Sequence, residues 1–303
     1  MQDHVATHVK ADKPLWRRIV DYPLVAMLIA TAIYIAAVAL GLGLRPVHLP
    51  LGPGPRALVH AIVEVGIVLV AYKLVIVRLG EHPRDDLRSK GALRDLGLGL
   101  LAGFLIFSAI VALAAIVGVY RITGPGDTSR VLLELTGTAI LPGFMEELLF
   151  RGILFRWIEE FAGSWAALVV TSALFGLAHI LNPNATWFSS FAIAVEAGVL
   201  LGGAYMLTRS LWFPMGLHAA WNFTQGEIFD VPVSGINQHG LVEAKLTGPD
   251  LLSGGQFGLE ASILALFVAT AVGIWIVWLA VRRGELVQPR WSRRRISASP
   301  TAA

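Results

Sequence analysis

Eight apolar runs, most of them about as long as a bilayer's hydrocarbon core requires, constrain this chain more than any other feature. They lie near residues 23–44, 58–77, 96–119, 131–158, 165–181, 187–207, 212–224 and 260–281 of a 303-residue sequence. Inside lipid every backbone N–H and C=O must be paired within its own segment, so such runs become helices. Charged residues make up only 15% of the chain, against roughly a quarter in soluble domains. The expected fold is all-α: a polytopic membrane helix bundle of about eight transmembrane helices. The fourth run is long and interrupted at Pro142-Gly143, which predicts a kinked or two-part helix. The seventh is short, and is expected to span halfway or to pack wholly within the bundle.

Charge then sets the orientation. Basic residues gather in 1–22 (Lys10, Lys13, Arg17, Arg18), after the second run (Arg78, Arg84, Arg88, Lys90, Arg94) and in the tail (Arg282, Arg283, Arg290, Arg293, Arg294, Arg295). Positive residues favour the cytoplasmic side, so both termini are expected there, with an even number of crossings between them. Segment 226–259, with Glu227, Asp230, Glu243 and Asp250 against Lys245, reads as an external loop, either a lid or a connector. The uncharged turn 182–186 reads as external too. The resulting division is a cytoplasmic segment 1–22, N-terminal transmembrane helices 23–130, a core 131–225, the external loop 226–259, a last helix 260–281 and a basic, disordered cytoplasmic tail 282–303. The stretch Arg84–Arg94 is expected to form an interfacial helix. The first run is too long for a signal-peptide core and is expected to stay as a span. The net charge of +3 is accounted for by anionic lipid headgroups at the span ends, and no nucleic-acid partner is expected. The absence of cysteine excludes disulfides, thiolate metal sites and a cysteine nucleophile.

Polar residues inside the apolar runs carry the functional information, because each is costly at membrane depth. Glu147 and Arg151 are four apart on one helical face, acid before base, which is the favourable order for a pair. Glu146 is rotated about 100° from its neighbour and is left to face something else. Phe175 and His179 share one face of the fifth run, and His218 and Asn222 one face of the seventh. Outside these, His60 and Glu64 read as an i,i+4 or cavity-lining pair. Glu196 stands alone, Lys73 can snorkel to the headgroups, and Gly198 with Gly202 predicts close helix packing.

Read in order on successive helices, Glu-Glu-x-x-x-Arg, Phe-x-x-x-His and His-x-x-x-Asn resemble the CAAX-prenyl-protease and bacteriocin-processing family of intramembrane endopeptidases. The resemblance covers roughly residues 131–225. It implies hydrolysis of a peptide bond in a membrane-embedded or membrane-bound peptide, lipidated or not, and the Arg-, Ala- and Gly-rich composition places the chain in a bacterial plasma membrane. The implied catalytic set is Glu146, Glu147, His179, His218 and Asn222, with Arg151 and Phe175 in support. A carboxylate in a dry cavity is a stronger base, which fits Glu146, with His179 orienting the water. His218 and Asn222 can donate to a developing oxyanion. Glu146, His179 and His218 also make a sufficient zinc ligand set, and a metal-free glutamate mechanism is the other possibility the resemblance leaves open. Two further readings compete: a proton-coupled carrier, which would string its polar residues across the membrane, and a catalytically silent scaffold or immunity protein of the same fold. Oligomeric state has no signature in the sequence.

Overall fold

The computed structural model describes residues 13–47 and 49–293. Lys10, Arg294 and Arg295 lie outside the described residues. Eight helical segments coincide with the eight apolar runs. They are α1 (Pro23–Leu44), α2 (Pro53–Leu74), α3 (Ala92–Ile116), α4 (131–162), α5 (Ser164–Ala178), α6 (Trp187–Thr208), α7 (Trp212–Phe223, prolonged by Thr224–Ile228) and α8 (Ile263–Arg282). Six of them, all but α4 and α7, are long and apolar enough to cross a membrane. The protein is a polytopic helical membrane protein.

Contacts between the connecting segments sort them into two ends. At one end, Arg17 donates to the Arg78 carbonyl (3.1 Å) and Arg290 pairs with Glu81. Arg293 reaches the Glu160 carbonyl and Arg209 pairs with Glu159 (2.6 Å). At the other end, Asn184 donates to the Gly235 carbonyl (3.3 Å). There a strand after α3, β1 (Tyr120–Pro125), pairs antiparallel with β2 (Val242–Leu246) in the loop before α8. Every such contact joins segments separated by an even number of helices, as eight crossings require. The basic segments share one end and the acidic loop the other, as the charge distribution predicts.

Several local expectations change. The stretch Arg84–Arg94 is not an interfacial helix: residues 84–91 are irregular, and helix begins only at Ala92, after Gly91 in the left-handed region (φ 82°). Asp86 and Leu87 are buried there instead, with the Asp86 amide donating to Tyr72 Oη (2.9 Å). The tail expected to be disordered is folded back as far as Arg293 through the contacts of Arg290 and Arg293. The loop 226–259 carries β2 and buries Val231, Val233 and Phe257, so it is packed rather than loose. Glu64 pairs with Arg45 (Nη2–Oε2 3.0 Å) rather than with His60, and Lys73 is held by Asp85 (2.6 Å).

The fourth helix is not simply kinked at Pro142-Gly143. Two π-wound stretches, Leu135–Ile140 and Leu148–Phe155, flank an α-helical turn pair Leu141–Glu147. Proline has no N–H to donate and clashes with the ladder of an ordinary helix, and the wider winding before Pro142 absorbs both problems without ending the helix. Further π-wound stretches occur at Ala194–Gly198 and Thr224–Ile228.

The tightest helix pair is α3 against α7. A Cβ on Gly99 would lie 2.2 Å from the Phe213 carbonyl oxygen, and one on Gly103 2.3 Å from that of Leu217. The backbones touch because both positions lack side chains, the usual device for helix association in lipid. This contact fixes the height and rotation of α7, and with it His218. Replacing Gly103 by leucine is expected to destabilise the folded protein by about 1–3 kcal/mol. A lowered unfolding midpoint in detergent, measured by intrinsic tryptophan fluorescence, checks it.

Candidate active site

The site is built around a buried charge chain. Glu147 and Arg151 are both fully buried, and Arg151 Nη1 donates to Glu147 Oε1 at 2.8 Å. His218 Nδ1 lies 3.0 Å from the same Glu147 oxygen, so one carboxylate ties α4 to α7. Arg151 Nη2 faces the Ala197 and Gly198 carbonyls (3.5 and 3.4 Å), which lie in the π-wound part of α6. Its guanidinium stacks over the Phe175 ring, 4.6 Å from the centroid. Phe150 meets the same ring edge-on at 5.0 Å. Phe175 is thus the apolar wall of a cation site as well as a core residue.

His179 closes α5, where the winding tightens into a 3₁₀ turn. Its Nδ1 lies 2.8 Å from the Phe175 carbonyl oxygen. A carbonyl only accepts, so Nδ1 carries the proton and Nε2 is left free. The same logic applies to His218, whose Nδ1–H donates to the Glu147 carboxylate. Both residues line one cavity together with Asn222, Trp221, Ser234 and Glu260, and in each ring Nε2 is the nitrogen not used in these contacts. The cavity measures about 20 Å³, sufficient for a single water molecule. One Asn222 amide N–H is committed to the Thr138 carbonyl (2.7 Å), and the second remains available.

Glu146 stands apart. Its carboxylate has a buried oxygen, Oε2, without a hydrogen-bond partner, and its charge acts on Tyr34, Arg151 and His218. It does not line the cavity. The donor atoms of Glu146, His179 and His218 are not drawn to within 4.8 Å of one another, as those of Glu81, His82 and Glu160 are. The three expected zinc ligands therefore do not present one coordination sphere as they stand. The Glu81 cluster lies at the basic end, with Glu81 paired to Arg290 and Glu160 to His82, and reads as an ion-pair network.

Sequence reasoning missed Glu260 and Ser234, which reach the cavity from the segment around β2. Glu260 is buried and accepts from the Ser234 amide. Burial pushes its carboxyl up to about 7, against the opposing pull of Ser234, Trp221 and His218. It is close enough to the buried, unpartnered Glu196 for their charges to interact. Only the lone intramembrane Glu196 hinted at this in the sequence.

The comparisons with known proteins bear on this geometry. Residues 128–224 match the family model described as type II CAAX prenyl endopeptidase, Rce1-like. Over that segment, about a third of the chain, the sequence is similar to the Rce1-like family. The protein YdiL of Bacillus subtilis (strain 168), inferred to be a membrane peptidase, is 24% identical over 162 residues. That match covers 49% of this chain and 64% of YdiL, so the chain spans less than two thirds of this relative. No solved structure matches the chain. The Rce1-like segment holds all three motifs, whereas Ser234 and Glu260 lie beyond it.

Replacing Arg151 by methionine leaves the buried Glu147 charge with His218 as its one remaining partner, and is expected to cost about 3–5 kcal/mol. Adding Glu147→Gln to that variant should recover part of the loss in a thermal unfolding assay. For Glu260, the folded state holds the proton up to about pH 7, against 4.5 for an ordinary glutamate. Stability is therefore highest below about pH 4.5 and falls as pH rises to about 7, by on the order of 3 kcal/mol. Glu260→Gln should flatten that part of the stability profile.

Proposed function

We propose that this protein is an intramembrane endopeptidase that hydrolyses a peptide bond in a membrane-associated substrate. The observation that carries the reading is that His179 and His218, each held through Nδ1, line one water-sized cavity beside Asn222. The Rce1-like match over the same residues supports it. In this reading Glu146 turns toward the cavity when substrate enters and takes a proton from the water that His179 orients. The water oxygen bonds to the scissile carbonyl carbon. His218, which takes a second proton at Nε2 from solvent before substrate binds and is neutralised by Glu147, donates that N–H to the oxyanion, joined by the free N–H of Asn222. The C–N bond then breaks as Glu146 returns its proton to the leaving amine. Arg151 and Phe175 act at one remove: they hold Glu147, which holds His218. The mechanism is the metal-free glutamate type, with no step routed through zinc.

Substrate access requires movement, since the cavity admits only a water molecule. The segment bearing Ser234 and Glu260 covers it, which gives the external loop the part of a lid. Convergence of His179, His218 and Asn222 on one cavity also favours hydrolysis over a carrier, which would space its polar groups along a path.

The test is cleavage of a quenched fluorescent peptide library by the purified protein in lipid nanodiscs, with metal content measured on the same samples. Glu146→Gln should lower turnover by about 10²–10⁴-fold, and Asn222→Ala by about 10²–10³-fold. Equal cleavage by wild type and the Glu146 variant would remove Glu146 from the chemistry. Stoichiometric zinc that disappears on changing His179 or His218 would replace the glutamate mechanism with a metal one.

A further inference from the structure

At the basic end a second cavity, of about 640 Å³, is lined by Arg88, Lys90, Arg94 and Arg283, with Asp95 as its only acid. That volume lies within the usual range of ligand sites. Four cations against one carboxylate leave a local charge of +3. Several other cations at this end are paired: Arg84 with Asp86, Arg209 with Glu159 and Glu285, Lys73 with Asp85, Arg290 with Glu81. Among the described residues, none of the four cavity cations has an ion-pair partner, and Asp95 lies beyond salt-bridge distance of each. All four are exposed, so water screens their mutual repulsion, while an anion placed among them is attracted by all four.

The position of the cavity selects the kind of anion. Arg94 lies in the first turn of α3 and Arg283 caps the end of α8, so the cations sit where two membrane helices meet water. The remaining wall is apolar, from Leu98 on α3, Leu207 on α6 and Phe213 on α7. Charged on one side and greasy on the other, the cavity matches a phosphate headgroup with its acyl chains. A soluble anion would gain nothing from the second wall.

We propose that this cavity binds the headgroup of an anionic phospholipid, which bridges α3 and α8 at the cytoplasmic end. Because α3 packs backbone to backbone on α7, the bound lipid steadies the helix that carries His218. The proposal concerns binding, and holds whether or not the protein cleaves peptides.

The experiment compares unfolding midpoints of the full chain in neutral detergent with added phosphatidylglycerol, phosphatidylcholine of the same chain length, or glycerol phosphate. Phosphatidylglycerol is expected to raise the midpoint by several degrees over the other two, and added salt should shrink the effect through screening. The variant R88Q/K90Q/R94Q/R283Q should lose most of the shift. The smaller variant R94Q/R283Q, expected to lose about half, serves where the larger one fails to fold. A control with Arg56 and Arg121 changed to glutamine, at the opposite end, should keep the full shift. An undiminished shift in R94Q/R283Q, an equal shift with phosphatidylcholine, or a full shift with glycerol phosphate alone would each overturn the proposal.

Discussion

The structure depends on one buried carboxylate. Glu147 is fully enclosed and accepts from both Arg151 and His218. Burying an ion pair costs more in lost hydration than the pairing returns unless further partners are supplied. The surrounding residues supply them: the Ala197 and Gly198 carbonyls and the Phe175 ring for Arg151, the His218 ring for Glu147. Five helices are thereby tied together, since α4, α5, α6 and α7 each contribute a group and α3 fixes α7 from behind. Lipid offers no competing water, so the chain of contacts specifies a single arrangement of these helices.

The helical irregularities fall in the same place. Glu146 and Glu147 sit between two π-wound stretches, Arg151 lies inside the second, and Asn222 is followed within two residues by another. Ala197 and Gly198 belong to a fourth. Each extra residue per turn rotates the rest of the helix about its axis and frees carbonyls that an ordinary helix would use itself, which is why such bulges recur at functional sites. Here one freed pair faces Arg151. The winding of the backbone and the placement of the charges are two sides of one packing solution.

Much of this was legible in the sequence, for identifiable reasons. Length and apolarity located all eight helical segments, and charge asymmetry sorted their connections, because the bilayer limits both. Helical spacing gave the Glu147–Arg151 pair. It did not give His218 as the second partner of Glu147, since that bond joins residues 71 apart and depends on the helix packing. The close approach of Gly198 to Ser172 and of Gly202 to Leu168 was written in the four-residue spacing of the two glycines, whereas the Arg45–Glu64 pair formed across a turn, where spacing says nothing. The pairing of β1 with β2 was hidden for the same reason: neither strand carries an apolar run, and each is defined only by the other.

The account rests on the tautomers of two histidines, and nitrogen-15 NMR of the histidine-labelled protein in detergent reads them directly. Protonated Nδ1 on both His179 and His218, with the His218 signal moving in Glu147→Gln and the His179 signal staying put, is the predicted result. A neutral ring protonated at Nε2 on either residue would contradict it, because its Nδ1 would then face the Phe175 carbonyl or the Glu147 carboxylate with no proton to share.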